Sequence, residues 1–541
     1  MKTTIFKIPR NGSIRQVEAF LKQNLNLQFQ EPNVITRTYL DTFDWRIFSA
    51  GSVLESAMDE IGNWLTWRPL GAEQVYGRCP IDQIPGFVWD LGESDIKTKL
   101  EKILEFRALL PVATVATRIH IAYVHDDQGK IILRIEFQRD CPSKDDCVKN
   151  NQSNINIGKR VHLYPIKGNK GVIKKACRLL QKECHLVPLS DDPLITTLKH
   201  YAKEPGRKLQ IITVSDPDQR ADTAVKNIFY QLLETMKDNE NGIIEDIDSE
   251  FLHDFRVAVR RTRSLLSQIR NVLPKRRITR FKRDFAWLGE VSGPARDMDV
   301  YLLSFNEYKK KLPADVREDI TPLYEFLQRH RHKEHDQLVK VLNSVRYRKL
   351  KQDWEKFLKT PAPKHSMLKN ANLPIVNVAS EHVWRAYRKA YKEGNIIVAD
   401  SPATLLHELR KTCKKLRYLN EFFQNLYPEN KMRKLIGNLK DLQDNLGEFQ
   451  DLQVQQDSLQ HFISDMENET GIDLETRKAI EMLVTRLAIR NKKVRSAFDV
   501  KFRKFSSPSN SVLYKNIIAS QRKLHSTIGQ VSKTKASLVK H

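Results

Sequence analysis

His253-Asp-Phe-Arg256-Val-Ala-Val-Arg260-Arg261-Thr-Arg263 and His407-Glu-Leu-Arg410-Lys411-Thr-Cys-Lys414-Lys415-Leu-Arg417 are one basic word written twice, at a constant offset of 154 residues. An internal repeat of this kind decides the architecture, because each copy is a folding unit that buries its apolar face against the other elements of its repeat. At about 100° per residue, His253, Arg256, Arg260 and Arg263 fall on one narrow face of an α-helix, and His407, Arg410, Lys414 and Arg417 take the same angles. The opposite face carries Phe255, Val259, Thr262 and Leu266 in the first copy and Leu409, Cys413, Leu416 and Asn420 in the second. That is the inward stripe of a bundled helix. Each word is therefore expected to aim a row of cations away from its own core.

A single basic helix face is ordinarily just solvated. Here the stripe positions carry no acid, and like charges recur three and four residues apart, which costs a few tenths of a kcal/mol per pair. The repetition of that cost points to an anionic partner. Arginine favours an oxyanion, since the guanidinium fork matches phosphate geometry. Downstream, Leu288-Gly289 precedes Arg296-Asp297 and Leu446-Gly447 precedes Asp451, and Lys282 and Lys440 each stand seven residues before their glycine. This reads as a second helix ending in Leu-Gly and bearing one more cation per copy. Asp297 and Asp451 then open a third helix as first-turn or N-cap carboxylates.

At these residues the chain resembles the CHAD family, the conserved histidine α-helical domain, over about residues 215–505. The resemblance implies two four-helix bundles about a pseudo-twofold axis, with the basic helices lining a shared groove for inorganic polyphosphate. The residues alone give a polyanion groove. The binding set is expected to be His253, Arg256, Arg260, Arg261, Arg263, Lys282, Arg296, His407, Arg410, Lys411, Lys414, Lys415, Arg417 and Lys440. The longer spacer Glu290–Ala295 in the first copy leaves Arg296 less firmly placed than the helix-borne bases.

Charge agrees. The net value is +25, of which residues 211–541 contribute +18 (60 basic less 42 acidic). Six cysteines, Cys79, Cys141, Cys147, Cys177, Cys184 and Cys413, match no common zinc spacing and are read as reduced thiols. The N-terminus lacks the apolar core of a secretion signal and no stretch is long and apolar enough for a span, so a cytoplasmic protein without membrane insertion is expected, with association to polyphosphate granules implied by the resemblance.

The first 200 residues alternate in short segments, 34–40, 63–68, 113–124, 130–138 and 161–166, with helical patterns at 14–24 and 171–184, as an antiparallel α+β domain does. Through Thr38-Tyr39-Leu40-Asp41-Thr42-Phe43-Asp44-Trp45, Ala50-Gly51-Ser52-Val53-Leu54 and Leu65-Thr66-Trp67-Arg68 this part is similar to the CYTH family, β-tunnel domains acting on triphosphates. In that family a Glu-x-Glu-x-Lys strand holds a divalent cation and a phosphate. Here the aligned residues are Thr3, Ile5 and Lys7, and Leu54-Glu55-Ser56-Ala57 replaces Leu-Arg-x-Arg. Phosphoryl transfer relies on the metal and on cationic clamps. The resemblance therefore implies a degenerate domain, with Lys7, Arg68, Arg118, Arg134 and Glu136 as tunnel-lining candidates.

The expected organisation is an α+β domain at 1–200, a linker at 201–216, a helical domain at 217–505 with repeats at about 217–345 and 375–505, and a basic tail at 506–541. No catalytic residue, cofactor or metal is expected. His330-Arg-His332-Lys-Glu-His335 reads as a solvated helix, since its rings point to different faces among cations. Two rival readings stand beside polyphosphate binding. One is a metal-dependent triphosphatase or polyphosphate-processing enzyme built on the first domain. The other is nucleic-acid binding, which the lack of interleaved aromatics reduces to nonspecific competition.

Overall fold

The computed structural model describes residues 4–516 except 10, 59–61, 73–74, 149–156, 167–169, 190, 206–213 and 470, and divides into two compact units, Met1–Gln210 and Ile211–His541. Thr3 and the tail beyond residue 516 lie outside the described residues.

The first unit contains β1 (Thr4–Lys7), α1 (Ile14–Asn24), β2 (Leu27–Phe29), β3 (Asn33–Asp41), α2 (Arg46–Ser49), β4 (Ser52–Met58), β5 (Asn63–Pro69) and β6 (Gly77–Pro80). It continues with α3 (Asp95–Leu104), β7 (Leu110–His125), β8 (Ile131–Cys141), α4 (Lys144–Val148), β9 (Gly158–Pro165), α5 (Lys170–Arg178), β10 (Val187–Pro188) and α6 (Pro193–His200). One antiparallel sheet runs in the order β10-β1-β9-β8-β7-β3-β4-β5-β6, with β2 added beside β7. Side chains alternate between faces along each strand. On β8, Leu133, Ile135 and Phe137 join Val17 and Leu21 of α1 and Ala176 of α5 in an apolar core, while Arg134, Glu136, Gln138 and Asp140 take the other face.

Cys141 closes β8 and Cys147 sits on α4, with their Cα atoms 5.6 Å apart and the sulfurs joined as a disulfide. This corrects the expectation of six reduced thiols. The six-residue interval says nothing of the reversal between β8 and α4, which brings the two Cβ atoms within bonding reach. Cys79, Cys177, Cys184 and Cys413 are free.

The second unit is helical: α7 (Ala221–Ile244), α8 (Ser249–Gln268), α9 (Lys275–Val291), α10 (Gly293–Lys311), α11 (Thr321–Leu342), α12 (Val345–Lys359), α13 (Ile375–Asn395), α14 (Ala403–Phe423), α15 (Glu429–Glu469), α16 (Leu474–Ser496) and α17 (Phe498–Phe505). The offset of the words is also the offset of the helices. α7, α8 and α9 begin at residues 221, 249 and 275, and α13, α14 and α15 at 375, 403 and 429, so each start is shifted by 154. The two copies meet reciprocally, the Ala221 amide donating to Leu373 O at 2.9 Å and the Ile375 amide to Gln219 O at 2.8 Å. Residue pairs exchanged in this way are what a twofold axis produces.

Both word helices bury the stripes expected of them: Phe255, Val259, Thr262 and Leu266 on α8, and Leu409, Cys413, Leu416 and Asn420 on α14. Asp248 caps α8 through the amides of Glu250 and Phe251, at 2.9 and 3.2 Å. In the first copy Trp354 is boxed by Phe281, Phe285 and Phe229. In the second, Tyr387 stacks on Tyr514 at 4.0 Å. Residues 508–516 are a packed helix carrying that tyrosine, so the opening of the basic tail is part of the core.

One reading needs correction. Neither helix ends at Leu-Gly, because Gly289 lies inside α9 and Gly447 lies mid-way along the 41-residue α15. The chain breaks only in the first copy, at Ser292 between α9 and α10. The two glycines are also not equivalent: a Cβ on Gly289 would stand 2.6 Å from Arg263 Nη1, whereas Gly447 has nothing within 4 Å. At the offset of 154, the partner of Gly289 is Gln443 and that of Asp297 is Asp451.

Candidate functional site

α8 and α14 cross antiparallel. Arg261 Nη2 donates to Glu421 Oε2 at 2.7 Å and its guanidinium lies over the Tyr418 ring, while Gln268 Nε2 reaches Lys415 O at 3.2 Å. As numbering rises on one helix it falls on the other, so the two basic stripes run outward in opposite directions from a common centre. The contacts of Arg261 with Glu421 and of Gln268 with Lys415 place that centre near Ser264 and Tyr418, and Arg260 and Lys414, the same position of the two words, stand about one turn to its N-terminal side on each helix. They are close enough for Arg260 to repel the lysine.

Lys414 records the crowding. Its pKa is pushed down to about 8, first by burial and then by Arg410 and Arg260, with Arg417 adding and Asp451 opposing. Arg256 is likewise lowered, by burial first and by Arg260, Arg296 and Arg263, against the pull of Asp297. Among the described residues Arg260, Arg263 and Lys414 have no carboxylate partner within 4.0 Å. Together they form a cationic cluster drawn from both copies, with Arg260 and Arg263 exposed and Lys414 half-buried.

The remaining predicted residues divide by task. Arg256 Nη1 donates to Gly289 O and Ser292 Oγ, both at 3.0 Å, which ties the word to the break between α9 and α10. Arg296, on α10, donates to Ser249 O at 2.9 Å, lies 3.1 Å from His253 Nδ1 and faces Glu250 at 3.5 Å. A guanidinium only donates, so His253 accepts at Nδ1. Its counterpart His407 places Nδ1 2.6 Å from Gln450 Oε1 and takes the donor role. Equal positions in the two words thus meet different partners, a guanidinium at His253 and an amide at His407.

Arg410 Nη2 donates to Asp451 Oδ1 at 3.1 Å, Arg417 Nε to Glu421 Oε1 at 2.6 Å, and Lys411 to Glu408 at 2.8 Å. Lys415 is exposed. Lys282 is exposed on the side of α9 that also carries Gly289, and Lys440 is exposed in the α15 row of Asp444, Gly447 and Asp451 that faces α14. Asp297 and Asp451 are not helix caps: Asp297 is the fifth residue of α10 and Asp451 lies well inside α15. Burial pushes Asp297 up, against Arg256 and Arg296. These acids come from neighbouring helices, a placement the words themselves cannot reveal. Glu421 was missed although it stands four residues after Arg417, a helical ion-pair spacing.

The polar face of the first unit's sheet is occupied by its own charges. Arg68 pairs with Asp192 at 2.5 Å and Glu55 at 3.4 Å, Arg37 with Glu55 at 3.7 Å, Arg160 with Asp140, and Arg134 with Glu136. Glu136 also accepts from Gln138 at 2.7 Å. Buried charges persist when paired in this way. Lys7 is exposed beside a cavity of about 210 Å³ shared with Lys159, Lys199 and His200, where Lys159 donates to Gly12 O at 2.8 Å and Lys199 faces Asp191 at 3.7 Å.

His330, His332 and His335 of the second unit turn to Glu469, Gln328 O and Ile243 O respectively. Among the described residues no group of three or more His, Cys, Asp or Glu stands ready for a metal ion. No described helix is long and apolar enough to cross a membrane.

Residues 227–460 match the family model of the CHAD domain, and the helical unit carries that domain. Among solved structures the chain is similar to the CHAD domain from the plant Ricinus communis, at 25% identity and TM-score 0.46 over 55% of this chain and 95% of that one. PptA from Streptomyces chartreusis follows at 14% identity and TM-score 0.40, over 53% and 100%. For the first unit, neighbours include HpAC1 from Hippeastrum, described as having a dominant triphosphatase activity, at 14% identity and TM-score 0.25 over 38% and 100%. A search of curated proteins by sequence returned no match.

Proposed function

We propose that the CHAD domain of this chain binds inorganic polyphosphate, non-catalytically, along the basic stripes of α8 and α14. The observation that carries the reading is the convergence of the two basic stripes, which brings Arg260 of one word within electrostatic reach of Lys414 of the other, where Arg410, Arg260 and Arg417 outweigh Asp451 and depress the lysine. A half-buried lysine crowded by like charges is stabilised in its charged form when an anion joins it. A flexible chain of phosphates supplies many oxyanions at short spacing, and stripes running both ways from one centre give it contacts along its length. Arg260, Arg261, Arg263, Lys414, Arg417, Lys282 and Lys440 are the direct contacts in this reading. Arg256, Arg296 and the two histidines shape the walls.

Calorimetric titration with long-chain polyphosphate at about 150 mM salt, where loose surface charge is screened beyond about 8 Å, tests it. Tripolyphosphate and duplex DNA serve as controls. Saturable binding of the long chain that Arg260→Glu with Lys414→Glu abolishes supports the groove. Equal weak binding of all three ligands by both proteins refutes it.

A second reading, phosphohydrolysis by the first unit, has less support, because its interior arginines already hold Glu55, Asp140 and Asp192. Phosphate release with Mg²⁺ or Mn²⁺ would revive it. Association with polyphosphate granules in the cytoplasm follows from the first reading and is tested by imaging the tagged chain with and without the charge reversals.

A further inference from the structure

Glu421 stands where the two copies meet. One carboxylate oxygen, Oε2, accepts from Arg261 Nη2 of the first word at 2.7 Å, and the other, Oε1, accepts from Arg417 Nε of the second at 2.6 Å. Its side chain is 17% exposed and that of Arg261 26%, so this contact forms in a half-dry setting in which charge-assisted bonds are strong, whereas Arg417 is exposed. It offers a guanidinium pair two anionic oxygens on one centre, as a phosphate would.

The arrangement is one-sided. The counterpart of Glu421 in the first copy is Ser267, an exposed hydroxyl that donates to Arg263 O at 2.9 Å. Arg263, the counterpart of Arg417, accordingly has no carboxylate partner among the described residues. Gly289 leaves room for Arg263 to lie against α9, while the equivalent Gln443 fills that space in the second copy. One half of the groove is open to an anion and the other is held by an acid of its own.

We propose that Glu421 is an internal competitor that an anion must displace to engage both halves, so that it weakens binding only of ligands long enough to cross the centre. The proposal rests on the polyanion reading above. A short anion settles on Arg260 and Arg263 and leaves Glu421 in place. A long one takes Arg261 and Arg417 from it, and the cost of that exchange makes the grip easier to release. Glu421 is thereby a specificity-determining residue acting through the ligand's length.

The test compares Glu421→Gln with wild type and with Glu429→Gln, which removes one negative charge from a remote, exposed pair with Arg433. Long-chain polyphosphate and tripolyphosphate are each titrated into the full chain. Glu421→Gln is expected to tighten the long chain about tenfold (about 1.4 kcal/mol) and to leave tripolyphosphate within about twofold, with Glu429→Gln changing neither. Equal tightening of both ligands, or none, overturns the proposal while leaving the groove intact. Failure of wild type to bind either ligand overturns the groove itself.

Ser267→Glu keeps the question open to test should Glu421→Gln fold poorly. It places the mirrored acid four residues after Arg263 on an exposed site, and is expected to weaken the long chain several-fold. Unchanged long-chain affinity in Ser267→Glu likewise counts against the proposal.

Discussion

Binding along the stripes of α8 and α14 should take up a proton at Lys414, and the amount can be worked from its surroundings. In the free protein burial and the charges of Arg410, Arg417 and Arg260 outweigh Asp451 and hold the lysine at about 8. A bound polyphosphate supplies the missing counterions, which returns the amine to at least its ordinary value of about 10.4. With those two values about half a proton is taken up at pH 8, and affinity falls about tenfold between pH 7 and pH 9. The arginines stay charged throughout, and phosphate groups with a second pKa near 6 are already ionised.

Stability moves the other way. Because the folded lysine is held below its unfolded value, the unfolded chain binds more protons between about pH 8 and pH 10.4, and the free protein gains stability with rising pH across that window. Calorimetry in two buffers of different ionisation enthalpy measures the uptake directly, and Lys414→Met should abolish it while retaining weaker, pH-insensitive binding. Tight binding with no uptake at pH 8 and a flat profile from pH 7 to 9 would refute the assignment of Lys414 to the contact surface.

Arg260→Glu with Lys414→Glu should cost at least about a hundredfold in affinity for long-chain polyphosphate while circular dichroism stays unchanged, since neither side chain holds the fold. Arg256→Glu should behave differently: it strips Gly289 O of its donor, at about 1–3 kcal/mol for a buried group left unpaired, while Ser292 Oγ keeps its bond to Leu288 O, so thermal melting should drop by several degrees. Gly394→Ala should also destabilise, by about 1–3 kcal/mol, because its Cβ would stand 1.9 Å from the Phe502 ring. Gly289→Ala meets only the flexible end of Arg263, and is expected to shift affinity a few-fold with melting nearly unchanged.

Much of this was legible in the sequence, for a definable reason. A stripe on a helix is a local property, and the inward faces of Phe255 to Leu266 and Leu409 to Asn420 follow from the helical period alone. The antiparallel sheet was legible too, because alternation along β3, β5, β7, β8 and β9 is again local. What the sequence hid is what other elements deliver. Asp451 reaches Arg410 from 41 residues away and Glu421 reaches Arg261 from 160, and neither distance leaves a periodic trace. The Leu-Gly pairing misled because two similar dipeptides sit four residues out of register with the true offset. The helix starts at 275 and 429 restore that offset. The pairing of Cys141 with Cys147 was hidden for the same reason, being set by a chain reversal and not by spacing.

The antiparallel crossing of α8 and α14 about their shared centre has a statistical consequence. A groove whose two helices are related by a half-turn, and whose halves differ chiefly at Glu421, presents a row of cations to a ligand from either end. A homopolymer without chain polarity can therefore occupy it in both orientations and at any starting unit. A chain of n units then offers on the order of n overlapping registers, each short of full length by the groove's own span. Apparent affinity per chain keeps rising in proportion to n after every contact has been made, at about 1.4 kcal/mol for each tenfold in length. A bound chain can also exchange registers by one-unit steps without letting go, so residence on a long polymer would be governed by diffusion along it.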